Sequence, residues 1–402
     1  MNRPSNRIAA SFAPTPWSLA VEAAREAGEV PFDLTVTNPT RVGFAPSHDD
    51  AAVIAGALGD PRSFAYEPHP KGMPSARAAV AAHYARAHGL DVDPERLWLA
   101  SSTSELYAQL FMLHCLPGDE VLVATPGYPL VESIAALTGA RAVRYPLCFD
   151  GAYSHDVTAI EEAITERTRV LVCVSPNNPT GNALSEGELE AITSLCDAHA
   201  IALVVDEVFA EYVVEGALDP ERIRTTALES RCLCWTLAGL SKSALLPQMK
   251  LAWAALSGPE MLVASTEARF EHVADTFLSA SAPVQCAADA LLDYGARTRV
   301  GVLARLRENL TRARSMLDGD PETGASVLFC EGGWSAVLRL PAVLSDEAWA
   351  ERFLGEGVLV QPGFLFDFDR DARVVVSLLA EPETFAEGLS RIAAACRREL
   401  QR

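Results

Sequence analysis

The sequence predicts an α/β fold, with a large domain built on a mainly parallel seven-stranded sheet flanked by helices and a smaller α+β domain. The chain has 402 residues, of which 49% are hydrophobic, so it can bury a large core that divides into two domains. Short apolar runs alternate with helical patterns through its middle. The pattern changes after about residue 290.

Seven strand candidates lie in the middle of the chain. They are near-continuous runs of Val, Leu and Ile, which are typical of strands covered on both faces in a parallel sheet. The candidates are residues 96–100, 120–124, 140–146, 169–175, 201–207, 232–237 and 251–256. Helical patterns separate them, and the clearest begins at Ser185, which is spaced to form a capping box with Glu188. This alternation predicts an open α/β sheet over residues 51–290.

The C-terminal part of the chain has a different pattern. A long helical pattern at 298–316 precedes further strand candidates and a final helix, which predicts a small α+β domain over residues 291–402. These strand candidates are residues 325–330, 335–340, 357–361 and 374–379. Residues 1–50 carry an arm and one short strand candidate, so we expect them to join the small domain.

Charge and cysteine usage exclude several classes of function. The formal net charge of −20 argues against a nucleic-acid partner, because an acidic surface repels phosphate backbones. No run approaches the roughly 20 apolar residues of a membrane span, and the N-terminus lacks the apolar core of a signal peptide. The nine cysteines form no CxxC pair, which predicts no metal site and fits a reducing compartment. We therefore expect a cytoplasmic protein without a membrane partner.

Lysine is rare in this chain. Of 33 basic residues three are lysines, Lys71, Lys242 and Lys250, and the rest are arginines. A lysine retained in such a composition indicates a need for amine chemistry or for a compact ammonium charge, although Lys71 can equally be a surface charge. Lys242 follows the bend AGLS, and Lys250 comes eight residues later. An amine that forms a Schiff base needs a pocket and a lowered pKa, whereas Lys250 suits a phosphate.

Two polar groups follow buried strand candidates, where ligands of an open α/β sheet bind. Asp206 ends the apolar run IALVV, and a carboxylate there needs a cationic partner or serves as a helix cap. Asn178 lies in the loop SPNNPTG, whose asparagine amides can reach a ligand or can belong to an ordinary polar turn.

Two further candidates follow the earlier strands. Ser102, Thr103 and Ser104 open a predicted helix, where hydroxyls and backbone N–H groups form either a phosphate cradle or a simple cap. Tyr128 lies in the rigid turn PGYP, so its ring can stack on a planar cofactor or pack on its own domain.

The order and spacing of these motifs resemble the class I/II aminotransferases, fold-type I enzymes that use pyridoxal 5'-phosphate (PLP), over nearly the whole chain. The stretches DLTVTNPTRVGF, YEPHPKGMPSAR, SSTSELY, GLSKSALLPQMKLAW and EGGWSAVLRLP look most similar to the alanine/aromatic aminotransferase-like bacterial branch. The resemblance implies that Lys242 binds PLP as a Schiff base and moves the proton of the substrate, while Asp206 pairs with the ring nitrogen.

The resemblance assigns the rest of the cofactor site. Tyr128 would stack on the ring and Asn178 would hydrogen-bond its 3-oxygen. The phosphate would be held by hydroxyls, backbone groups and one ammonium, from Ser102, Thr103, Ser104, Ser241 and Lys250. Tyr66 would reach the phosphate of a neighbouring subunit, which implies a homodimer with active sites at the subunit interface.

Four positions depart from the family pattern. Phe209 replaces a tyrosine that donates to the 3-oxygen, and Gly239 replaces a serine, which leaves Ser241 as the hydroxyl of that motif. Lys250 replaces an arginine, so a point charge takes the place of a bidentate fork. Val375 stands where an arginine commonly holds the substrate α-carboxylate.

The last departure leaves the substrate contacts open. Arg41 and Arg373 are the nearest candidate cations in the sequence, and each can equally be a solvated arginine. Asn38 is a further candidate contact. Trp334, in the EGGW turn, either lines the pocket or belongs to the core.

The resemblance implies transamination between an L-amino acid and a 2-oxo acid. The alternative is a PLP-dependent lyase, cyclase or synthase of specialised amino-acid metabolism, because pocket contacts alone can divert the cofactor's chemistry. A third hypothesis, an aminotransferase-like sensor domain of a regulator, is disfavoured by the acidic charge and by the lack of a DNA-binding module in the sequence.

Overall fold

A computed structural model describes residues 7, 13–214, 222–369 and 372–402. The strands are β1 Phe32–Asp33, β2 Leu97–Ala100, β3 Glu120–Thr125, β4 Arg141–Phe149, β5 Tyr153–His155, β6 Thr168–Val174, β7 Ala202–Asp206, β8 Cys234–Gly239, β9 Ala252–Ser257, β10 Ser326–Val327, β11 Ser335–Arg339, β12 Val358–Leu359, β13 Gln361–Pro362 and β14 Arg373–Ser377.

The α-helices are α1 Pro16–Glu26, α2 His48–Leu58, α3 Pro74–His88, α4 Thr103–His114, α5 Leu130–Thr138, α6 Val157–Ala163, α7 Glu186–His199, α8 Leu240–Ser243, α9 Glu260–Phe277, α10 Ala282–Cys286, α11 Ala288–Leu317, α12 Asp346–Leu354 and α13 Pro382–Leu400. Short 3₁₀ helices lie at 39–41, 61–64, 94–96, 247–249, 321–323 and 363–366. Helix α7 begins at the predicted capping box, in which Ser185 and Glu188 bond each other's backbone N–H.

The central sheet has eight strands in the order β2-β9-β8-β7-β6-β3-β4-β5. The pairs from β8 through β7, β6 and β3 to β4 are parallel, while β9 and β5 run antiparallel to their neighbours. All seven predicted strands are present. The eighth, β5, folds back on β4 as a three-residue edge strand whose sequence, YSH, lacks the apolar run that marks the others.

Helices cover both faces of this sheet. Helices α4, α5 and α9 pack on one face, where Leu110 and Phe270 are fully buried. On the other face, α3 and the first turns of α11 pack against β8 and β9, and α6 and α7 pack against β6 and β7. The carboxyl ends of the parallel strands therefore lie at an edge of the sheet, with a layer of helices on each face.

The C-terminal residues form a second core around the four-stranded sheet β10-β11-β14-β13. Strand β1 pairs with β12, so the N-terminal segment joins this core. Helix α11 begins ten residues before the predicted 298–316 pattern and contributes Leu291 to the core beside β8 and Leu310 to the C-terminal core. It thus connects the two cores, and the predicted domain boundaries at residues 50 and 290 stay predictions.

Among the residues that the structure describes, no helix combines the length and apolar character that a bilayer crossing requires.

Candidate active site

Four loops that carry predicted site residues follow the carboxyl ends of neighbouring strands. Strands β3, β6, β7 and β8 are consecutive in the sheet, in the order β8-β7-β6-β3. They lead to Tyr128, Asn178, Asp206 and Lys242 respectively. Because these strands are parallel, the four loops lie at the same edge of the sheet, which is where open α/β sheets bind ligands.

Lys242 extends from the short helix α8 into an aromatic environment. Its Nζ lies 4.6 Å from the ring centroid of Trp334 and 5.6 Å from that of Phe209. Burial lowers the pKa of this amine below that of an exposed lysine, and attraction to Asp206 offsets only part of the effect. A buried lysine with a lowered pKa has more of the unprotonated form that attacks a carbonyl.

Asp206 ends strand β7 as a buried carboxylate with two protein donors. The hydroxyl of Tyr107 donates to Oδ2 at 2.9 Å, and the backbone N–H of Val208 donates to Oδ1 at 3.1 Å. Burial raises the pKa of Asp206, while these two hydrogen bonds and the charge of Lys242 act against the rise. The carboxylate is therefore held in place and is still able to ionise and pair with a buried cation.

Tyr107 is a site residue that the sequence reasoning missed. It lies on α4 four residues after Thr103, so its side chain shares a face with the start of the helix. The only sequence signal was its position in the quoted stretch SSTSELY, one turn inside the predicted phosphate cradle.

Trp334 and Phe209 form the wall beside Lys242. Their rings pack edge to face at 5.6 Å, and Trp334 also packs on Tyr212 at 5.2 Å. Trp334 is only 2% exposed, so it is a core residue as well as a neighbour of the lysine. The core interpretation of Trp334 is therefore confirmed, and its contact with a substrate stays a prediction. Phe209 has no hydroxyl, and its ring contributes apolar cover instead.

The start of helix α4 uses one of its three predicted hydroxyls as a cap. Ser102 is the N-cap, and its Oγ accepts a hydrogen bond from the backbone N–H of Glu105 at 3.1 Å. Thr103 and Ser104 follow in the first turn and are half-buried. The capping interpretation is therefore correct for the Ser102 side chain, while the helix N-terminus still offers backbone N–H groups to an anion.

The two other predicted phosphate ligands flank Lys242 in sequence. Ser241 is half-buried in α8, directly before Lys242. Lys250 is exposed, and its backbone lies in the left-handed region with φ of 55°.

Gly239, the position at which the family pattern has a serine, is explained by close packing of strands. A Cβ placed on Gly239 would lie 3.0 Å from Cβ and 3.1 Å from Cα of Ala252 on β9. A side chain here would therefore push β9 away from β8.

The loops that carry Tyr128 and Asn178 are tied together by Asn177. Its Nδ2 donates to the carbonyl of Pro126 at 3.0 Å and to Oγ1 of Thr180 at 2.7 Å. Tyr128 is 55% exposed and lines a cleft together with Asn177. Asn178, next to this structural amide, is half-buried.

The remaining predicted residues are Tyr66, Arg41, Asn38 and Arg373, and their roles at the site stay predictions. Tyr66 is 85% exposed, and Arg41 is exposed as well. The Asn38 Oδ1 atom caps the 39–41 helix by accepting from the N–H and hydroxyl of Thr40. Arg373 is buried at the start of β14, where its Nη1 donates to the carbonyl of Ala372 at 3.4 Å.

Val375, at the position where the family commonly has an arginine, is 1% exposed and packs in an apolar cluster with Val337 and Phe366. Among the described contacts, Trp334 is the candidate substrate residue that reaches Lys242.

Comparison with known proteins places this geometry in a family context. The chain is 30% identical to the glutamate-pyruvate aminotransferase AlaA of Escherichia coli over 262 residues, which span 65% of this chain and 63% of that protein. It is 31% identical to the arginine–pyruvate transaminase AruH of Pseudomonas aeruginosa over 80% of each protein. The alanine aminotransferase of Pyrococcus furiosus shares its fold, with a TM-score of 0.86 at 22% identity over 98% of this chain and all of that chain.

The family model described as aminotransferase class I and II matches residues 42–392. This range contains the four strand-end loops, helix α4 and helix α11. The chain therefore belongs to the aminotransferase class I and II family.

Proposed function

We propose that the chain is a PLP-dependent aminotransferase that moves an amino group between an L-amino acid and a 2-oxo acid. The observation that carries this proposal is the buried Lys242 amine, whose pKa is lowered and which lies within electrostatic reach of Asp206. Both residues lie within the region matched by the aminotransferase family model.

The donor set at the sheet edge fits the cofactor. When bound, PLP supplies an aldehyde for covalent attachment and a protonated ring that withdraws electrons. Lys242 provides the amine, and Asp206 is a buried carboxylate whose second oxygen is already oriented by Tyr107. The N-terminus of α4 suits the phosphate because its N–H groups and helix dipole favour an anion.

Further cofactor contacts follow from the family resemblance. Thr103, Ser104, Ser241 and Lys250 would hold the phosphate, and the Tyr128 ring would cover the cofactor ring. Asn178 would donate to the 3-oxygen without help from position 209, because Phe209 has no hydroxyl.

The protein residues divide the work of the reaction. With PLP bound, Lys242 would accept the proton from the substrate α-carbon and return it to the neighbouring carbon of the cofactor, a role suited to an amine whose pKa is lowered by burial. Phe209 and Trp334 exclude water from the amine. Asp206 would pair with the ring nitrogen of PLP, and the hydrogen bond from the Tyr107 hydroxyl favours the charged form of this carboxylate.

The assembly that fits this site is a homodimer. Tyr66 and Phe64 are each 85% exposed, and aromatic side chains are enriched where protein surfaces bind each other. We propose that Tyr66 reaches the phosphate site of the neighbouring subunit.

Nine free cysteines support a reducing compartment such as the cytoplasm.

Pyruvate is the first acceptor to test, since it appears in the names of two relatives. With Val375 buried among apolar residues, the substrate carboxylate needs another partner. We propose Asn38, Arg41, Trp334 and Arg373 as substrate-contacting positions.

The function is tested with the purified enzyme, saturating PLP, pyruvate and a panel of L-amino acids. Formation of alanine together with the 2-oxo acid of one donor is the expected result, and Lys242→Ala should abolish it. Release of ammonia or CO₂ without an acceptor would instead identify a lyase-type reaction, which no comparison favours.

A further inference from the structure

The backbone that carries Lys242 adopts a conformation that its own sequence does not favour. The Lys242 turn, residues 240–246, contains Leu245 with φ of 60°, in the left-handed region that favours glycine. Leu245 is fully buried and γ-branched. Such a conformation persists only where the surroundings impose it, so contacts from elsewhere in the fold must hold this turn.

Tyr212 makes the first of these contacts. Its hydroxyl donates to the backbone carbonyl of Lys242 itself at 2.6 Å. Tyr212 is fully buried and packs edge to face on Trp334, which restricts the movement of its ring.

Helix α11 makes the second contact through two residues on one face. A Cβ on Gly295 would lie 2.3 Å from the carbonyl oxygen of Ser243, so the helix packs directly against the backbone of the turn. Arg299, one helical turn later, donates from Nη1 to the same carbonyl oxygen at 2.8 Å.

Arg299 is itself held by a buried acid. Its Nη2 lies 2.6 Å from Oε1 of Glu211, and the same oxygen lies 3.5 Å from Nε2 of His83. Burial alone would raise the pKa of Glu211, but the hydrogen bond from His83 and the charge of Arg299 outweigh it and lower the pKa. Glu211 is therefore charged, and this buried ion pair keeps the Arg299 guanidinium close to the acid.

We infer that Arg299 and Tyr212 are positioning residues for the reactive lysine. Arg299 binds the carbonyl of Ser243 and Tyr212 binds that of Lys242, and these contacts set the direction in which the Lys242 amine points. The inference rests on Lys242 being the reactive amine of the proposed function, but it does not depend on which reaction follows.

The test uses full-length, cofactor-free enzyme and three variants, Arg299→Gln, Arg299→Lys and Tyr212→Phe. The control is Arg297→Gln, an exposed arginine on the same helix that pairs with Asp50 and does not touch the turn. The first readout is the rate of covalent PLP capture at Lys242, trapped by borohydride and mapped by mass spectrometry. The second is the pH dependence of acylation of the Lys242 amine without PLP, and thermal unfolding is followed in parallel.

A reacting group that is misplaced by about 1 Å can react about 100-fold more slowly. We expect smaller effects here, because the Lys242 turn retains part of its packing in each variant. We therefore expect Arg299→Gln to capture PLP about 10-fold more slowly and Tyr212→Phe about 5-fold more slowly. Arg299→Lys keeps the charge beside Glu211 and should recover part of the rate, while the control stays within about 2-fold of wild type. The amine's titration should shift in the two slower variants and not in the control.

Wild-type capture rates and an unchanged amine titration in folded Arg299→Gln and Tyr212→Phe would overturn the inference. If Arg299→Gln does not fold, Arg299→Lys and Tyr212→Phe decide, because the first keeps the charge beside Glu211 and the second keeps the buried ring. If wild type itself captures no PLP at Lys242, the proposed function fails, and the acylation titration still decides the positioning role.

Discussion

Removal of the Tyr107 hydroxyl tests how the buried Asp206 carboxylate is kept charged. Tyr107→Phe deletes a 2.9 Å hydrogen bond and leaves the ring packing of a fully buried residue intact. A hydrogen bond to a charged group contributes about 1.5–3 kcal/mol. The pKa of Asp206, already raised by burial, should therefore rise further in the variant.

The assay is the dissociation constant of PLP between pH 5.5 and 8.5. A carboxyl with a raised pKa is protonated below that pKa and charged above it, so the variant should bind PLP more weakly, with the largest deficit at low pH. We expect a loss of about 10-fold at the acidic end that narrows as the pH rises. Tyr145→Phe is the matched control, because it removes a buried hydroxyl that bonds His155 and not Asp206.

Equal PLP affinity and an equal pH profile in Tyr107→Phe and wild type would refute this reasoning. A uniform loss at every pH would show that Tyr107 shapes the pocket without controlling the charge of Asp206.

Three further predictions concern stability. Burial raises the pKa of Glu207 from 4.5 to about 7, so the folded state binds more protons than the unfolded state. The free energy of unfolding of wild type should therefore fall by up to about 3 kcal/mol relative to Glu207→Gln as the pH rises from 5 to 8. Parallel stability–pH curves would contradict this. Burial lowers the pKa of His114 from 6.5 to about 4, and its neutral ring accepts a hydrogen bond from Trp235. The contribution of His114 to the free energy of unfolding should therefore be present above pH 6.5 and lost as the pH falls towards 4. Urea titrations should show this loss in wild type and not in His114→Gln. Alanine normally stabilises a helix interior by about 1 kcal/mol over glycine, and Gly301→Ala should do so because its Cβ would meet no atom closer than 3.5 Å. Gly295→Ala should instead destabilise the protein, because its Cβ would lie 2.3 Å from the carbonyl oxygen of Ser243. A higher melting temperature for Gly295→Ala would be the opposing result.

The site residues that sequence could predict are those whose signal is local. Asp206 ends one strand and Lys242 follows another, and the apolar runs before them reveal these strands without knowledge of the fold. Phe209 and Trp334 lie in motifs that resemble the family, and the structure brings both to the Lys242 amine. The edge strand β5 was missed, since three residues without an apolar run carry no such pattern.

The supporting residues could not be predicted because their contacts join distant segments. Tyr107 meets Asp206 across 99 residues of sequence, and Arg299 meets Ser243 across 56. Neither pair has a motif, and each depends on how α4 and α11 pack on the sheet. The need for glycine at position 239 could not be predicted from sequence either, because it arises from the closeness of Ala252 on the neighbouring strand.

Because lysine is scarce in this chain, one measurement decides whether Lys242 is the residue that binds PLP. The chain has three lysines, and only Lys242 has its amine buried beside Trp334 and Phe209. Incubation with PLP, borohydride reduction and peptide mapping should place one reduced cofactor on Lys242, with no label in Lys242→Ala. Two results would contradict the assignment of Lys242 as the PLP-binding residue. One is label on Lys71 or Lys250 at equal yield, and the other is no covalent label in the wild-type protein.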